Sequence, residues 1–242
     1  MGLFKMAWVK ICGITNEEDA IITAELGSDA LGFILSTDSP RRVEPGKAYE
    51  IILAVKNRLA SFKGKKVPAF AGVFVNEEAD TVIKTAKELG LDFIQFSGDE
   101  TVGYMQKIRK LAAGMNIKLI KLIRVKKDIS TFETISAQMQ KFKKEADYFL
   151  LDTCKENIYG GTGKRFDWQI VRGLSSLYPV ILAGGLGSEN VAGAINIVKP
   201  FGVDASTRLE SAPGKKDMMK VKNFIKNASG RIGEGHGKSQ KY

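Results

Sequence analysis

Apolar and amphipathic stretches alternate along the whole chain. Short apolar runs typical of buried parallel strands are each followed by a stretch whose apolar residues have helical spacing. The predicted strands span residues 9–12, 30–35, 69–74, 93–96, 119–123, 148–151, 180–183 and 202–205. The predicted helices span residues 17–26, 47–59, 78–89, 101–112, 129–144, 168–177, 189–198 and 218–227. Asn16, Asn76 and Ser188 precede helical stretches and are expected to cap them.

Eight strand–helix units without a break in composition favour one parallel sheet. In a chain of 242 residues this is the size of a single (β/α)8 TIM barrel, so the predicted fold class is α/β with eight parallel strands. A doubly wound open sheet is the alternative. Residues 1–228 are assigned to the barrel domain, and 229–242, rich in Gly, Lys and Ser and containing His236, to a flexible C-terminal tail.

Composition narrows the range of functions. No run of about 18 apolar residues and no secretion signal are found, so a cytoplasmic protein is expected. Cys12 and Cys154, the two cysteines, are expected to be free thiols. The net charge of +10 suits nucleic acid or small anions, but the lysine clusters are scattered and lack interleaved aromatic residues. We therefore expect a small anionic substrate, and no nucleic acid or membrane partner.

Two residues at predicted strand ends point to proton chemistry. Cys12 ends the first strand and Asp152 follows the sixth, and side chains at the C-terminal ends of barrel strands meet at one mouth. Lys10 shares a strand face with Cys12, and its positive charge would favour the thiolate. The alternative interpretations are a small buried hydrophobe for Cys12 and a loop cap for Asp152.

The loops after the last strands contain residues typical of a phosphate site. Gly184 and Gly185 follow strand seven, and the hydroxyls of Ser206 and Thr207 follow strand eight, where barrels of this class often hold phosphate. A further Gly-rich run, 160–163, follows strand six. Ordinary turn glycines are the alternative. Arg41, after strand two, is a candidate for a bidentate contact with a carboxylate, or else a solvated loop charge.

An ordered set of motifs from residue 9 to about 217 resembles phosphoribosylanthranilate isomerase of tryptophan biosynthesis. The motifs are Lys10-Ile11-Cys12-Gly13-Ile14-Thr15, Gly32-Phe33-Ile34, Ser39-Pro40-Arg41, Gly72-Val73-Phe74-Val75-Asn76, Gly98-Asp99-Glu100, Leu151-Asp152-Thr153, Ala183-Gly184-Gly185-Leu186, Gly202-Val203-Asp204, Glu210, Pro213-Gly214 and Lys216-Asp217. The resemblance implies an Amadori-type rearrangement of N-(5-phosphoribosyl)anthranilate. It also implies an isomerase that needs no cofactor and no metal, active as a monomer or homodimer.

The resemblance also implies residue roles. Asp152 would be the general acid and Cys12 the general base. Arg41, Gln95 and Asp204 would bind the substrate, Arg41 through the anthranilate carboxylate. The phosphate would be held by Gly184, Gly185, Ser206 and Thr207.

Two positions depart from the family pattern. Ser97 stands where the family has histidine, and Arg208 stands where it has glycine. Arg208 would either add a charge contact or strain the loop. Two other functions remain open: the related sugar-phosphate isomerase of histidine biosynthesis, which uses paired aspartates, and a non-catalytic barrel that binds anions or nucleic acid.

Overall fold

Eight parallel strands close into a barrel in chain order, with the last strand next to the first. The structure, a computed structural model, describes residues 7–62, 64, 66–126, 130–154 and 168–229, and for Thr153 and Cys154 the backbone only. The strands are β1 Trp8–Cys12, β2 Ala30–Ile34, β3 Ala69–Phe74, β4 Phe93–Phe96, β5 Lys118–Lys126, β6 Tyr148–Cys154, β7 Val180–Leu182 and β8 Gly202–Ala205. The predicted TIM barrel is confirmed, and the open-sheet alternative is wrong.

Helices follow the strands and pack on the outside of the barrel. They are α1 Glu17–Glu25, α2 Pro45–Ala60, α3 Ala79–Leu89, α4 Val102–Leu111, α5 Phe132–Phe142, α6 Leu174–Leu177, α7 Val191–Val198 and α8 Met218–Ser229. The sixth predicted helix is broken: Trp168–Val171 forms a 3-10 turn, and Gly173 separates it from α6. Helix α8 ends at Ser229, one residue past the predicted end of the barrel domain, and residues 230–242 lie outside the described residues.

A short antiparallel hairpin between β8 and α8 was missed by the sequence analysis. Its strands are β9 Glu210–Ala212 and β10 Lys215–Lys216. Strands of three and two residues are too short to show the alternation that identifies a strand in a sequence. The hairpin lies at the C-terminal end of the barrel.

One of the three expected helix caps is confirmed. The side chain of Asn16 accepts a hydrogen bond from Asp19 N at 2.8 Å. Asn76 and Ser188 are not caps, because α3 begins after Glu78 and α7 after Asn190. Asn76 instead adopts a left-handed backbone (φ 51°) and accepts a hydrogen bond from Asp99 N, in the loop after β4.

Aromatic rings close the N-terminal end of the barrel. Trp8, Phe93 and Tyr148 begin β1, β4 and β6, and Phe201 precedes β8. Neighbouring ring centroids in this group of four lie 4.7–6.0 Å apart. Above them lies an aliphatic layer of Ile120, Leu150, Ile181 and Ala183. The interior is therefore apolar up to the level at which the polar side chains of the mouth begin.

Aspartates also lock the N-terminal ends of alternate strands. One precedes each of β2, β4 and β6, and its side chain accepts a hydrogen bond from a backbone N–H of the neighbouring strand. The pairs are Asp29 with Val9 N (2.9 Å), Asp92 with Phe70 N (2.8 Å) and Asp147 with Leu119 N (2.8 Å). These contacts satisfy strand-end donors that would otherwise need water, and they help to fix the barrel register.

Candidate active site

A cleft at the C-terminal mouth brings six of the predicted site residues together. It contains about 410 Å³ of empty space, part of it open to solvent. Asp152 and Asp204 line it from β6 and β8, and the loops after β7 and β8 complete it with Gly184, Gly185, Ser206, Thr207 and Arg208. The sequence analysis expected Asp152 to follow the end of the strand. Strand β6 instead continues to Cys154, so Asp152 lies within it.

The loop after β7 has the backbone geometry of an anion site. Gly184 and Gly185 have φ of +84° and +63°, which side-chain-bearing residues rarely adopt. Because glycine has no side chain, the N–H groups of such a turn can approach an anion closely. Asn190 holds the loop from below, because its amide accepts from Gly187 N and donates to Gly185 O, both at 2.9 Å. The arrangement fits a phosphate on the cleft side.

Arg208 adds a positive charge to the same cleft. It lies in the 3-10 turn Thr207–Leu209 and pairs with Glu189 from the loop before α7. The described non-glycine residues with positive φ are Thr37, Asn76 and Lys199, so Arg208 needs no glycine-like backbone. Of the two expectations for this departure, the charge contact is thus the one that the geometry favours.

Cys12 lies beside a buried ion pair. Lys10, on the same face of β1, is 0% exposed and donates to Asp204 Oδ1 at 3.0 Å. Burial lowers the pKa of Lys10, but the charges of Asp204 and Cys12 outweigh it and hold that pKa above the ordinary value. The lysine is therefore a permanent cation next to the thiol, paired as a buried charge must be.

The Cys12 thiol is 7% exposed and free. Burial raises its pKa, and the positive charge of Lys10 opposes that rise, as the sequence analysis expected, without cancelling it. Asp204 raises the pKa further, and Lys216 lowers it. Cys12 is consequently a protonated thiol near neutral pH. When it loses its proton, the thiolate is stabilised by two nearby cations, Lys10 and Lys216.

Arg41 is engaged by a carboxylate of the protein. Its Nε donates to both oxygens of Glu210 (2.8 and 3.0 Å) and its Nη2 to Oε2 (2.7 Å). The side chain is 16% exposed, so it is not a solvated loop charge. Hydrogen bonding to Glu210 raises the pKa of Arg41 despite partial burial. The edge formed by Nη1 and Nη2 remains directed away from this side-on contact.

Gln95 faces the barrel interior from β4 and is 5% exposed. Its Nε2 donates to Ser97 Oγ at 3.0 Å, whereas Oε1 has no hydrogen-bond partner among the described residues. A buried amide oxygen without a donor is costly, and a ligand donor would remove that cost. Gln95 is thus placed to contact a bound molecule, although it does not line the cleft of Asp152.

The Gly98-Asp99-Glu100 motif forms the scaffold of the loop after β4. Lys121 Nζ donates to Glu100 Oε2 (2.7 Å) and Gly98 O (2.9 Å), and both charged side chains are 5% exposed or less. Burial lowers the pKa of Lys121, and Glu100 offsets this only in part. These residues support the loop that carries Ser97.

Several predicted residues lie beyond the described ranges. The glycine run 160–163 and His236 are among them, and the side chain of Cys154 is not described. Sequence reasoning identified no role for Glu210 or Lys216. Glu210 binds the Arg41 side chain, and Lys216 donates to the backbone oxygen of Cys12. The signal was present in the Glu210, Pro213-Gly214 and Lys216-Asp217 motifs, but no pattern in the sequence pairs them with distant residues.

The sequence of this chain matches a known family over nearly all of the barrel. A sequence model of the family described as N-(5'phosphoribosyl)anthranilate (PRA) isomerase matches residues 9–227. The chain belongs to the PRA isomerase family. It is accordingly an isomerase, of a family that serves tryptophan biosynthesis, and the resemblance found in its motifs is confirmed.

Individual PRA isomerases agree with this assignment. The N-(5'-phosphoribosyl)anthranilate isomerase of Pelobacter propionicus is 40% identical over 226 residues, which cover 92% of this chain and 96% of that protein. The phosphoribosyl anthranilate isomerase of Thermotoga maritima has a structure with a TM-score of 0.78 and 35% identity, covering 93% of this chain and all of that one.

A second solved PRA isomerase structure holds a ligand. That protein is in complex with reduced 1-(o-carboxyphenylamino)-1-deoxyribulose 5-phosphate, with a TM-score of 0.75 and 34% identity, covering 93% of this chain and 100% of that chain. In this chain, no helix within the described ranges is long and apolar enough to cross a membrane.

Proposed function

We propose that this isomerase converts N-(5-phosphoribosyl)anthranilate into 1-(2-carboxyphenylamino)-1-deoxyribulose 5-phosphate. The observation that carries the proposal is the cleft in which Asp152 shares one space with the glycine and hydroxyl loops after β7 and β8. A phosphate held by those loops would place the attached ribose against the carboxyl group. The ligand-bound relative, which carries a reduced form of this product, supports the same reaction.

Asp152 acts as the general acid in this proposal. Its carboxyl group donates a proton to the furanose ring oxygen while the bond between that oxygen and C1′ breaks. The nitrogen lone pair moves toward C1′ and leaves an iminium ion. A carboxyl group can do this only in its protonated form, and Asp152 is partly buried where it lines the cleft.

Cys12 acts as the general base. Its sulfur removes the C2′ proton of the iminium ion, and the electron pair of that C–H bond forms the C1′–C2′ double bond of an enolamine. The enolamine then tautomerises to the ketone. Burial keeps Cys12 protonated in the free protein, so the thiolate that accepts this proton depends on the positive charges of Lys10 and Lys216.

Other residues anchor the substrate in this proposal. The Nη1–Nη2 edge of Arg41 receives the anthranilate carboxylate, while the opposite edge stays on Glu210. The unpartnered oxygen of Gln95 accepts a hydrogen bond from the substrate. Asp204 lies near the amine, and Gly184, Gly185, Ser206 and Thr207 hold the phosphate. Arg208 adds charge to that grip.

A coupled assay with freshly made phosphoribosylanthranilate tests the proposal. We expect turnover of this substrate and none of the aminoimidazole substrate of the histidine-pathway isomerase, because a thiol stands where that enzyme has an aspartate. Turnover of only the aminoimidazole compound would replace the proposed substrate. No turnover of either, together with salt-sensitive nucleic-acid binding, would favour the non-catalytic barrel.

A further inference from the structure

The hairpin of β9 and β10 is tied to the loop after β1 and to helices α1 and α8. Lys216 N donates to Oδ2 of Asp19, which lies on α1, at 2.7 Å. Thr15 Oγ1, in the loop after β1, donates to Gly214 O. Lys220 Nζ, on α8, donates to Glu210 O at 2.9 Å. These contacts hold the hairpin at a fixed height beside the mouth.

Glu210 joins two cations that serve different parts of the site. Its carboxylate accepts three hydrogen bonds from the Nε and Nη2 of Arg41, and one from Lys216 Nζ at 2.9 Å. Only 4% of the side chain is exposed. Because the side-on edge of Arg41 is occupied, the end-on edge has one fixed direction in which to receive a second carboxylate.

Lys216 connects Glu210 to the end of β1. Its Nζ donates to the backbone oxygen of Cys12 at 2.7 Å and lies 3.5 Å from Ser206 Oγ, and its side chain is 0% exposed. One ammonium group therefore touches the strand end that carries Cys12, the carboxylate that orients Arg41, and a hydroxyl of the loop after β8.

We propose that Glu210 and Lys216 are positioning residues that couple the base Cys12 to the carboxylate-binding Arg41. Glu210 fixes the direction of Arg41 and keeps Lys216 charged, and Lys216 fixes the end of β1 and stabilises the Cys12 thiolate. The coupling to catalysis rests on the function proposed above, whereas the effect on the thiol can be measured without substrate.

The pKa shifts of Glu210 and Lys216 support the separate roles proposed for them. Burial raises the pKa of Glu210, but Arg41 and Lys216 outweigh it and hold that pKa below the ordinary value. Burial lowers the pKa of Lys216, and Glu210 and Cys12 offset this only in part. Glu210 therefore stays ionised between its two cations, and Lys216 depends on the Glu210 carboxylate to stay protonated.

Among the residues that the structure describes, four charged groups face Cys12. They are Lys10 on β1, Asp204 on β8, Lys216 on β10 and Arg41 in the loop after β2. Removing the charge of Lys216, directly or through Glu210, leaves the thiol with one cation fewer. The remaining Lys10–Asp204 pair is unchanged in such variants, so the change in the thiol reports on Lys216.

The test measures the pH dependence of iodoacetamide alkylation of Cys12, in a Cys154→Ser background that leaves one thiol. Lys216→Met and Glu210→Gln are compared with Asp147→Asn, which removes a partly buried ion-paired carboxylate at the opposite end of the barrel. At pH 8 we expect alkylation to slow by about threefold or more in the first two variants, because the thiolate loses a nearby cation. Asp147→Asn is expected to keep the rate of the background.

Kinetics on phosphoribosylanthranilate give a second readout. Lys216→Met should lower kcat and shift the rising limb of its pH profile upward with KM nearly unchanged, whereas Glu210→Gln should also raise KM because Arg41 is released. Identical alkylation profiles in the background and both variants would overturn the proposal. So would an equal slowing in Asp147→Asn, which would mark a general loss of rigidity. Altered alkylation with no turnover in the parent would leave the proposed coupling to the thiol standing and sink the proposed function.

Discussion

The two ends of the barrel are built from the same strands by opposite means. At the N-terminal end, aromatic rings pack on one another and Asp29, Asp92 and Asp147 satisfy backbone donors of neighbouring strands. At the C-terminal end, buried charges stand close together around a cleft that holds Asp152. The N-terminal end, called the lower end below, stabilises the fold. The C-terminal end, called the upper end, carries groups whose burial costs free energy.

That difference teaches where to look for function in such a barrel. A buried ion pair contributes little net stability, because desolvation offsets its attraction. Lys10–Asp204 and Lys216–Glu210 are therefore poor explanations of stability and good candidates for electrostatic roles at the mouth. Substitutions at the two ends should separate into those that change activity and those that change melting temperature.

Among substitutions at the upper end, Cys12→Ser should cause the largest loss of activity. We expect kcat to fall by roughly 10²–10⁴-fold, the usual value of a positioned base, with substrate binding retained. The side chains are similar in size, so the melting temperature should change little. Near-normal kcat in this variant would remove Cys12 from the mechanism.

Gly184→Val should damage the phosphate site. The side chain would enter a backbone with φ +84°, which β-branched residues avoid, on the surface that meets the anion. Inhibition by inorganic phosphate should weaken by about tenfold or more, the loss of at least one charge-assisted hydrogen bond.

Gly114→Val is the matched control for that variant. Gly114 has the same φ, +84°, with open space where a Cβ would lie, in the loop before β5 at the N-terminal end of the barrel. Its backbone strain should lower the melting temperature and leave phosphate inhibition intact. Equal loss of phosphate inhibition in both variants would move the phosphate elsewhere or make the effect one of general stability.

Arg41→Lys should raise KM by about tenfold or more with a smaller change in kcat, because lysine keeps the charge but cannot contact Glu210 and a substrate carboxylate with two flat edges. Arg109→Lys supplies the comparison at the lower end, where Arg109 pairs with Asp147. It should change the melting temperature and leave KM as it is. A normal KM in Arg41→Lys would assign the substrate carboxylate to another group.

Ser97→His and Arg208→Gly should give the smallest effects. Ser97 accepts from Gln95, and Arg208 pairs with Glu189 at the rim of the cleft. We expect KM to change by a few-fold, about 1 kcal/mol or less as for exposed charges, with turnover of the same substrate retained. A nearly inactive parent that the double reversion activates by orders of magnitude would instead mark a shifted specificity.

Much of the fold could be read from the sequence because each strand is a continuous apolar run with a helix after it. The strands β3, β4 and β8 have the predicted limits. The prediction failed where local signals are weak or absent. Asn76 has the composition of a cap but serves the loop after β4, and the hairpin of β9 and β10 is too short for a periodic pattern.

The sequence predicted which residues meet at the mouth of the barrel, but not how they pair. Strand alternation places Lys10 and Cys12 on one face, and a buried lysine requires a partner. That partner, Asp204, is 194 residues away and becomes a neighbour only because β8 closes the barrel against β1. In the same way Glu210 is 169 residues from Arg41. Such contacts follow from closure of the sheet, which no local pattern encodes.

The most direct test of the account compares two aspartates at opposite ends of β6. Asp147 immediately precedes β6 at the lower end, where it binds Leu119 N and Arg109, and Asp152 lies near the other end of β6 in the cleft. The measurement is kcat on phosphoribosylanthranilate and melting temperature for Asp147→Asn and Asp152→Asn, side by side.

We predict that Asp152→Asn lowers kcat by at least about 10²-fold while a product analogue still binds and the melting temperature stays near that of the parent. Asp147→Asn should lower the melting temperature by about 2–4 °C for each kcal/mol lost and keep kcat. If Asp152→Asn changes only KM, or if both variants lose activity and stability together, Asp152 is not the general acid and the division between the two ends of the barrel is wrong.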